Sequence, residues 1–172
     1  MTLRTTLRLT PLTCPSCAAN LPALEDDVAF ACAACALGFE LERDGLLQRP
    51  LRVIPHPGSR TGFHLPFWEW SSGARVPAFN TREVVELTRR LSGRELAAGG
   101  SPPRGLLGAT LASSEAAAIA AFAGVAPPTG ATSLLAIPFL DEGNHLLETV
   151  TGFVLYKESI DRARSLLAAL TA

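Results

Sequence analysis

Apolar positions recur with two different periods along this chain, and together they predict a mixed fold. Branched and aromatic residues in alternation or in short runs predict strands, whereas apolar positions at i, i+3, i+4 and i+7 predict helices. Strands are predicted near Leu7–Leu12, Val28–Ala31, Phe39–Glu42, Phe63–Trp70, Arg75–Phe79, Ser133–Leu140 and Leu146–Tyr156. The fold class expected from this distribution is α+β.

Three helices are predicted among these strands. Asn80 with Glu83 three residues later forms a capping box for the first helix, which Gly93 ends. Ser113 or Ser114 caps an alanine-rich helix that runs to about Ala123. Ser159 caps the last helix. The inward positions of the first and last helices are Val84, Leu87, Thr88, Leu91, Ile160, Ala163, Leu166, Leu167 and Leu170.

The order strand, strand, helix therefore occurs twice, in residues 63–92 and 133–171. Each unit contains an apolar residue before Pro-Phe, in Leu65-Pro66-Phe67 and in Ile137-Pro138-Phe139. This repetition predicts an internal duplication packed about a pseudo-two-fold axis. Because proline has no N–H to donate, its presence within a strand predicts an edge strand or a bulge.

Proline and glycine also mark the domain boundary. Pro50 and the run Pro55-His-Pro-Gly-Ser59 interrupt the periodic pattern, although residues 52–54 have the composition of a short strand. We therefore expect a small module at 1–50, a connector at 51–60 and an α+β domain at 61–172.

All four cysteines of the chain lie in the first module, in two Cys-x-x-Cys pairs. These are Cys14-Pro-Ser-Cys17 and Cys32-Ala-Ala-Cys35, with fourteen residues between the pairs. Each pair brings two sulfurs of one tight turn to the same ion, and four sulfurs complete a tetrahedral zinc shell. The spacing predicts one structural Zn²⁺ bound by Cys14, Cys17, Cys32 and Cys35, because four protein ligands leave no position for a substrate.

Three other uses of paired cysteines remain open from the sequence. Two disulfides need an oxidising compartment, yet no apolar signal-peptide core follows Met1-Thr2-Leu3-Arg4. A redox-active pair usually begins a helix in a βαβ unit, whereas strand-like residues flank both pairs here. Iron–sulfur ligation uses the same residues but is rarer for this spacing.

The segment from Leu9 to Leu47 resembles a rubredoxin-like zinc ribbon, on the two cysteine pairs and the closing Asp44-Gly45-Leu46. It is also similar to the small zinc-ribbon proteins that activate methyltransferases. The resemblance implies a zinc-ribbon fold for about a quarter of the chain. Many such ribbons carry glycine directly after each second cysteine, where the backbone φ is positive. This chain has Ala18 and Ala36 at those positions.

The stretch Phe63-His-Leu-Pro-Phe-Trp-Glu-Trp70 with Val76-Pro-Ala-Phe79 is the second distinctive passage. It resembles segments of uncharacterised bacterial proteins that join an N-terminal zinc ribbon to a "Leu-Pro-Phe-Trp … Pro-Ala-Phe" domain. Trp68 and Trp70 lie on one face of the predicted strand. Phe67, Trp68 and Trp70 are therefore candidate anchors for a protein partner, because tryptophan is enriched at interface hot spots. The alternative is that they form a core or interdomain contact.

Composition and charge limit the classes of function. The chain has 172 residues, 48% of them hydrophobic, with a mean hydropathy of +0.25, which argues against a disordered protein. Fifteen basic and sixteen acidic residues give a net charge of −1, which disfavours nucleic acid as the partner. The uncharged stretch from Ala116 to Leu140 is divided by Pro127-Pro128, so no membrane span is predicted. We expect a cytoplasmic protein.

No catalytic constellation stands out. The three histidines, His56, His64 and His145, are isolated from one another, and Asp26-Asp27 is expected to be an exposed turn. The expected function is therefore a non-enzymatic, zinc-binding interaction or scaffold protein. The alternatives are binding to nucleic acid or the translation machinery, and an activating subunit of an enzyme such as a methyltransferase, as the zinc-ribbon resemblance implies. Removal of the metal is predicted to unfold residues 1–50 alone.

Overall fold

The chain folds into two β-sheets and one helix in the part that the structure describes. This computed structural model describes residues 10–55, 63–79, 106, 108–122, 128–143, 145–149 and 154–156. The α+β class is confirmed at the level of mostly β-sheet with one described helix. The two strand–strand–helix units are not confirmed, since the helices predicted after Asn80 and Ser159 lie outside the described residues.

The smaller sheet belongs to the cysteine-containing part. It is antiparallel, with the order β1-β2-β3, and its strands are β1 (Ala29–Ala31), β2 (Gly38–Glu42) and β3 (Gly45–Arg49). The predictions of β1 and β2 are confirmed, whereas β3 was not predicted as a strand. Residues 10–12 form no strand, and the rest of the strand predicted at Leu7–Leu12 lies outside the described residues. We call residues 10–49 the cysteine module.

The larger sheet has six strands in the described residues. Five follow the order β6-β5-β7-β8-β9, and the sixth, β4, pairs in parallel with β7. Its strands are β4 (Leu51–Val53), β5 (Phe63–Trp70), β6 (Arg75–Pro77), β7 (Thr132–Asp141), β8 (His145–Glu148) and β9 (Val154–Tyr156). The hairpin predicted around Ser71-Ser72-Gly73 is confirmed as β5–β6. The segment predicted as a connector begins with β4, which lies within the larger sheet.

Pro66 and Pro138, the two prolines of the Pro-Phe motifs, both lie in interior strands of the larger sheet. The carbonyl of Pro66 in β5 accepts the N–H of Ala78, and the carbonyl of Pro138 in β7 accepts the N–H of Thr149. The N and C=O of a strand residue face the same side, so both missing N–H groups face away from the β5–β7 ladder. Leu65 and Ile137 lie directly opposite each other in that ladder. The prediction of edge strands is therefore corrected: each proline lies one residue beyond the last pair of the neighbouring β6 or β8 ladder.

The larger sheet has an apolar cluster on each face, because its central strands are apolar at nearly every position. Trp68, Trp70, Leu134 and Ala136 point to one face, together with Ala29 and Ala31 of β1. The other face contains Leu65, Leu135, Ile137 and Phe139. The cysteine module thus shares the first core with the larger sheet, in addition to its own smaller cluster around Phe30 and Phe39.

Small residues let the two sheets approach closely. A Cβ on Gly38 of β2 would lie 2.9 Å from the carbonyl oxygen of Arg49 and 3.5 Å from Cβ of Leu134 in β7. The first distance is shorter than real side chains tolerate, so Gly38 is required by the packing rather than by its backbone angle. Alanines at the buried positions of β1 serve the same purpose.

The described helix, α1 (Ser113–Phe122), packs on the same face of the larger sheet as the cysteine module. Ala116 and Ala120 are buried there, and their small side chains suit a close helix–sheet contact. Ala112 occupies the N-cap position, and its N–H donates to Oε2 of Glu115 at 3.0 Å. The helix predicted here is confirmed, but the prediction that Ser113 or Ser114 caps it is wrong, because both serines lie inside the helix. The hydroxyl of Ser113 instead donates to a carboxylate of the cysteine module.

Within the described residues, no helix has both the length and the apolar character needed to cross a membrane.

Candidate metal centre

Two turns of the same geometry present the four cysteines. In the first turn the N–H of Ala18 donates to the carbonyl of Cys14 at 2.8 Å, and the N–H of Cys14 donates to the carbonyl of Ala19. The second turn repeats both bonds, from Ala36 to Cys32 at 2.9 Å and from Cys32 to Leu37. Each turn therefore holds its two sulfurs on one side.

The residue after each second cysteine has a left-handed backbone. Ala18 has φ 59° and Ala36 has φ 53°, and among the described residues these are the non-glycine positions with positive φ. The turns thus have, at both positions, a conformation that glycine adopts more readily than alanine. Alanine in this conformation costs about 1 kcal/mol or more, because its Cβ approaches the following carbonyl oxygen.

The two turns bring the four sulfurs together. All four Sγ atoms lie within 4.8 Å of one another, with Cys14 to Cys35 at 3.4 Å and Cys17 to Cys32 at 3.5 Å. Zinc–sulfur bonds of about 2.3 Å in a tetrahedron require sulfurs about 3.8 Å apart. The four residues are free thiols, and the donor set fits a tetrahedral metal ion with every position filled by protein.

The electrostatics of the cluster also favour a cation. Burial raises the pKa of the Cys14 thiol, but the N–H groups of Cys17 and Ser16 donate to its sulfur and, with the neighbouring thiols, hold that pKa at about 6. Burial raises the pKa of Cys35, and the three neighbouring sulfurs raise it further, to about 12.

Of the other two cysteines, one also has a lowered pKa and the other a raised pKa. Burial raises the pKa of Cys32, yet the N–H groups of Cys35 and Ala34 outweigh it and lower that pKa. The N–H of Ala19 lowers the pKa of Cys17, but the Cys32 and Cys14 side chains raise it more. The pKa values of Cys14 and Cys32 are thus lowered and those of Cys17 and Cys35 raised, since four adjacent negative charges repel one another. A bound divalent cation would favour the thiolate form of all four cysteines and displace their protons.

The centre lies at one side of the module core. Cys14 and Cys32 are buried with Leu21, Phe30 and Phe39, whereas Cys17 is exposed and Cys35 is half-buried. The core below the sulfurs is thus small, and a segment of this size usually needs a metal or disulfides to be stable.

Glycine at the two left-handed positions is expected to stabilise the protein. Ala18→Gly and Ala36→Gly each remove an unfavourable contact of Cβ and are expected to raise the free energy of unfolding by about 0.5–1 kcal/mol. Denaturant titration of the zinc-loaded protein measures this. Ala33→Gly, at an exposed position of the second turn without positive φ, is the control and is expected to lower stability. Destabilisation by all three variants would contradict the strain at Ala18 and Ala36.

The residues predicted as partner anchors lie elsewhere and are mostly buried. Trp68 is fully buried, and its Nε1–H donates to the carbonyl of Leu111 at 2.8 Å; Trp70 is 6% exposed. Phe67 lies on the opposite face of β5 and packs edge-on against Phe79. The hypothesis of exposed tryptophan anchors is corrected, because both rings lie in the core shared by the two sheets.

The histidines do not form a site in the described residues. His64 is buried, with Nε2 2.9 Å from the carbonyl oxygen of Ile54, and His145 lies at the start of β8. His56 lies outside the described residues. Of the histidines that the structure describes, neither belongs to the group of metal-binding side chains around the four sulfurs.

Two polar residues of the cysteine module that were not predicted as site residues, Asp27 and Glu40, connect it to the rest of the chain. Asp27, expected to be exposed, is 6% exposed, and its Oδ1 accepts the N–H of Gly108 at 2.9 Å. Glu40 is 2% exposed, and Arg49 binds it at 2.7 Å. The sequence offers one weak sign that Glu40 is buried: it lies in a strand between the apolar residues Phe39 and Leu41. Whether its own face of the strand is buried depends on another part of the chain covering that face.

Comparisons with protein-family models, curated proteins and solved structures found no match to this chain.

Proposed function

We propose that this chain is a zinc protein in which a structural ion holds the cysteine module, and that its role is to bind another protein rather than to catalyse a reaction. The observation that carries the proposal is the set of four sulfurs, since a site with four protein thiolates has no position for a substrate or a reactive water. We further propose that the module is a zinc ribbon of the rubredoxin-like kind. Four reduced thiols suit the cytoplasm.

The charges of the described surface support a protein partner over nucleic acid. Of the four arginines in the described residues, Arg49, Arg52 and Arg75 each form an ion pair with a glutamate. Such pairs leave little positive charge for phosphate groups. Leu47 in β3 and Ile119 in α1 are exposed by 40% and 49%, and they are the apolar side chains we assign to partner contact.

Cobalt substitution tests whether protein ligands fill every coordination position of the metal. The protein purified without chelator is expected to contain one zinc per chain, and its Co²⁺ form to show the visible absorption of a tetrahedral tetrathiolate site. Addition of imidazole is expected to leave that spectrum unchanged, because no coordination position is open. Absence of stoichiometric zinc, or a spectrum that changes on imidazole addition, would refute a closed structural site.

Purification from the native cell tests the interaction. The tagged chain is expected to co-purify with one protein in a fixed ratio, and Leu47→Glu with Ile119→Glu is expected to lose it while keeping zinc and the melting temperature. A chain that purifies alone, or that co-purifies with nucleic acid released by salt, would contradict the proposed partner class.

A further inference from the structure

The helix α1 receives its N-terminal cap from the cysteine module. Oε1 of Glu40 in β2 accepts the N–H of Ser113 at 2.6 Å, and Oε2 accepts the Ser113 hydroxyl at 3.0 Å. A carboxylate is favourable at this end of a helix, where N–H groups lack partners inside the helix. Ala112, at the N-cap position, has no side-chain oxygen, so Glu40, which lies 73 positions before Ser113, performs this role.

Arg49 fixes the carboxylate in place. Its Nε and Nη2 lie 2.8 Å and 2.7 Å from Oε2 of Glu40, and Nη2 also approaches Oε1 of Glu42 at 3.3 Å and Oγ of Ser113 at 3.4 Å. The ion pair compensates the cost of burying the charge of Glu40. Strands β2 and β3 and the first turn of α1 therefore meet at one polar cluster.

A second contact runs beside the first. It is formed by the segment 108–112, which leads into α1. In this segment the carbonyl of Ala109 accepts the N–H of Val28 at 2.7 Å. Gly108 donates to Asp27 in the same region. On its other side, the carbonyl of Leu111 accepts the indole N–H of Trp68. This segment thus connects the cysteine module directly to the core of the larger sheet.

Both contacts depend on strands that the cysteine turns position. Cys32 directly follows β1, and β2 begins three residues after Cys35. Phe30 of β1 and Phe39 of β2 pack beneath the sulfurs, while the neighbouring Ala29 and Glu40 face the larger sheet and α1. A change that releases the turns therefore displaces both faces of the small sheet.

We propose that occupancy of the four-cysteine site by zinc controls the order of α1 and the burial of Trp68 and Trp70, with Glu40 as the coupling residue. This inference rests on the proposed zinc site and adds a regulatory consequence to it. Zinc stabilises only the folded module, so by linkage it stabilises whatever that module contacts. Loss of the ion uncaps α1 and opens the shared core, and ordering of α1 strengthens zinc binding by the same factor.

Tryptophan emission and amide exchange measure this coupling in the full chain. The two tryptophans of the protein both lie in the shared core, so the emission reports on that core alone. Removal of zinc by a chelator is expected to shift the emission to longer wavelength and to abolish amide protection in residues 116–122, and added zinc is expected to restore both. Unchanged emission and protection after verified metal removal would overturn the coupling while leaving the zinc site intact.

Substitution at Glu40 separates the coupling from simple loss of metal. Glu40→Gln keeps the size of the side chain and removes its charge. The variant is expected to bind one zinc ion with an affinity lowered about 10- to 100-fold, and its amide protection in α1 is expected to fall by the same factor. Glu42→Gln is the matched control, since this carboxylate is about half exposed and touches the same arginine. Its expected change is less than about threefold.

Ser113→Ala tests the coupling through Glu40 if Glu40→Gln does not fold. This variant loses the hydroxyl bond to Glu40 and keeps the carboxylate and its ion pair, and both zinc affinity and α1 protection are expected to fall about 3- to 10-fold. A Ser113→Ala or Glu40→Gln protein with the zinc affinity of Glu42→Gln would refute Glu40 as the coupling residue. A protein that binds no zinc in any form would refute the proposed function instead.

Discussion

Replacement of Cys14 by serine is expected to remove the metal and to destabilise the whole chain, not the cysteine module alone. Cys14 is 2% exposed and belongs to the four-sulfur set. Structural zinc contributes about 10–16 kcal/mol in small zinc-finger peptides, which is comparable to or larger than the usual stability of a domain. Because Ala29 and Ala31 share a core with Trp68 and Leu134, loss of the module exposes the larger sheet.

A loss of at least about 4 kcal/mol would lower the melting temperature by roughly 10 °C or more for a chain of this size. Calorimetry together with elemental analysis checks both effects. Ser16→Ala, at an exposed position of the same turn, is the control and is expected to keep the metal and the melting temperature. A Cys14→Ser protein with unchanged zinc content would contradict the assignment of this ligand. A Cys14→Ser protein without zinc but with an intact larger sheet would restore the expectation that residues 1–50 unfold alone.

Truncation of Trp68 is expected to have the second largest effect. Its side chain is fully buried, and Trp68→Ala is expected to cost about 3–5 kcal/mol, from lost transfer free energy and the cavity left in the core. Trp68→Phe restores much of the volume but leaves the carbonyl of Leu111 without its donor, which costs about 1–3 kcal/mol. Denaturant unfolding of the zinc-loaded variants gives both values.

Ile119→Ala is the control for that series. Ile119 is 49% exposed, so its truncation is expected to change the free energy of unfolding by less than about 0.5 kcal/mol. An exposed partner anchor at position 68 would instead give a Trp68→Ala protein of normal stability. That result would contradict the buried position of the indole.

The sequence predicted correctly those elements that are formed by interactions between neighbouring residues. The spacing of the cysteine pairs identified the four residues whose sulfurs meet, because a Cys-x-x-Cys turn needs only its own backbone hydrogen bonds. The hairpin at Ser71-Ser72-Gly73 and the alanine-rich helix from Ser113 were likewise read from neighbouring residues. The hypothesis of exposed tryptophans was wrong because the pattern places Trp68 and Trp70 on one face of a strand without saying what covers that face.

The sequence alone determined that four thiols would gather in the first third of the chain and where several of the described strands lie. Only the tertiary structure decided which polar groups are buried. Glu40 and Asp27 look like surface residues in their own segments, and their partners Ser113 and Gly108 lie 73 and 81 positions later. β4 joins the larger sheet through a parallel pairing with β7 that no local pattern signals. The physical reason is that burial of a charge or a strand edge depends on which distant backbone groups arrive to satisfy it.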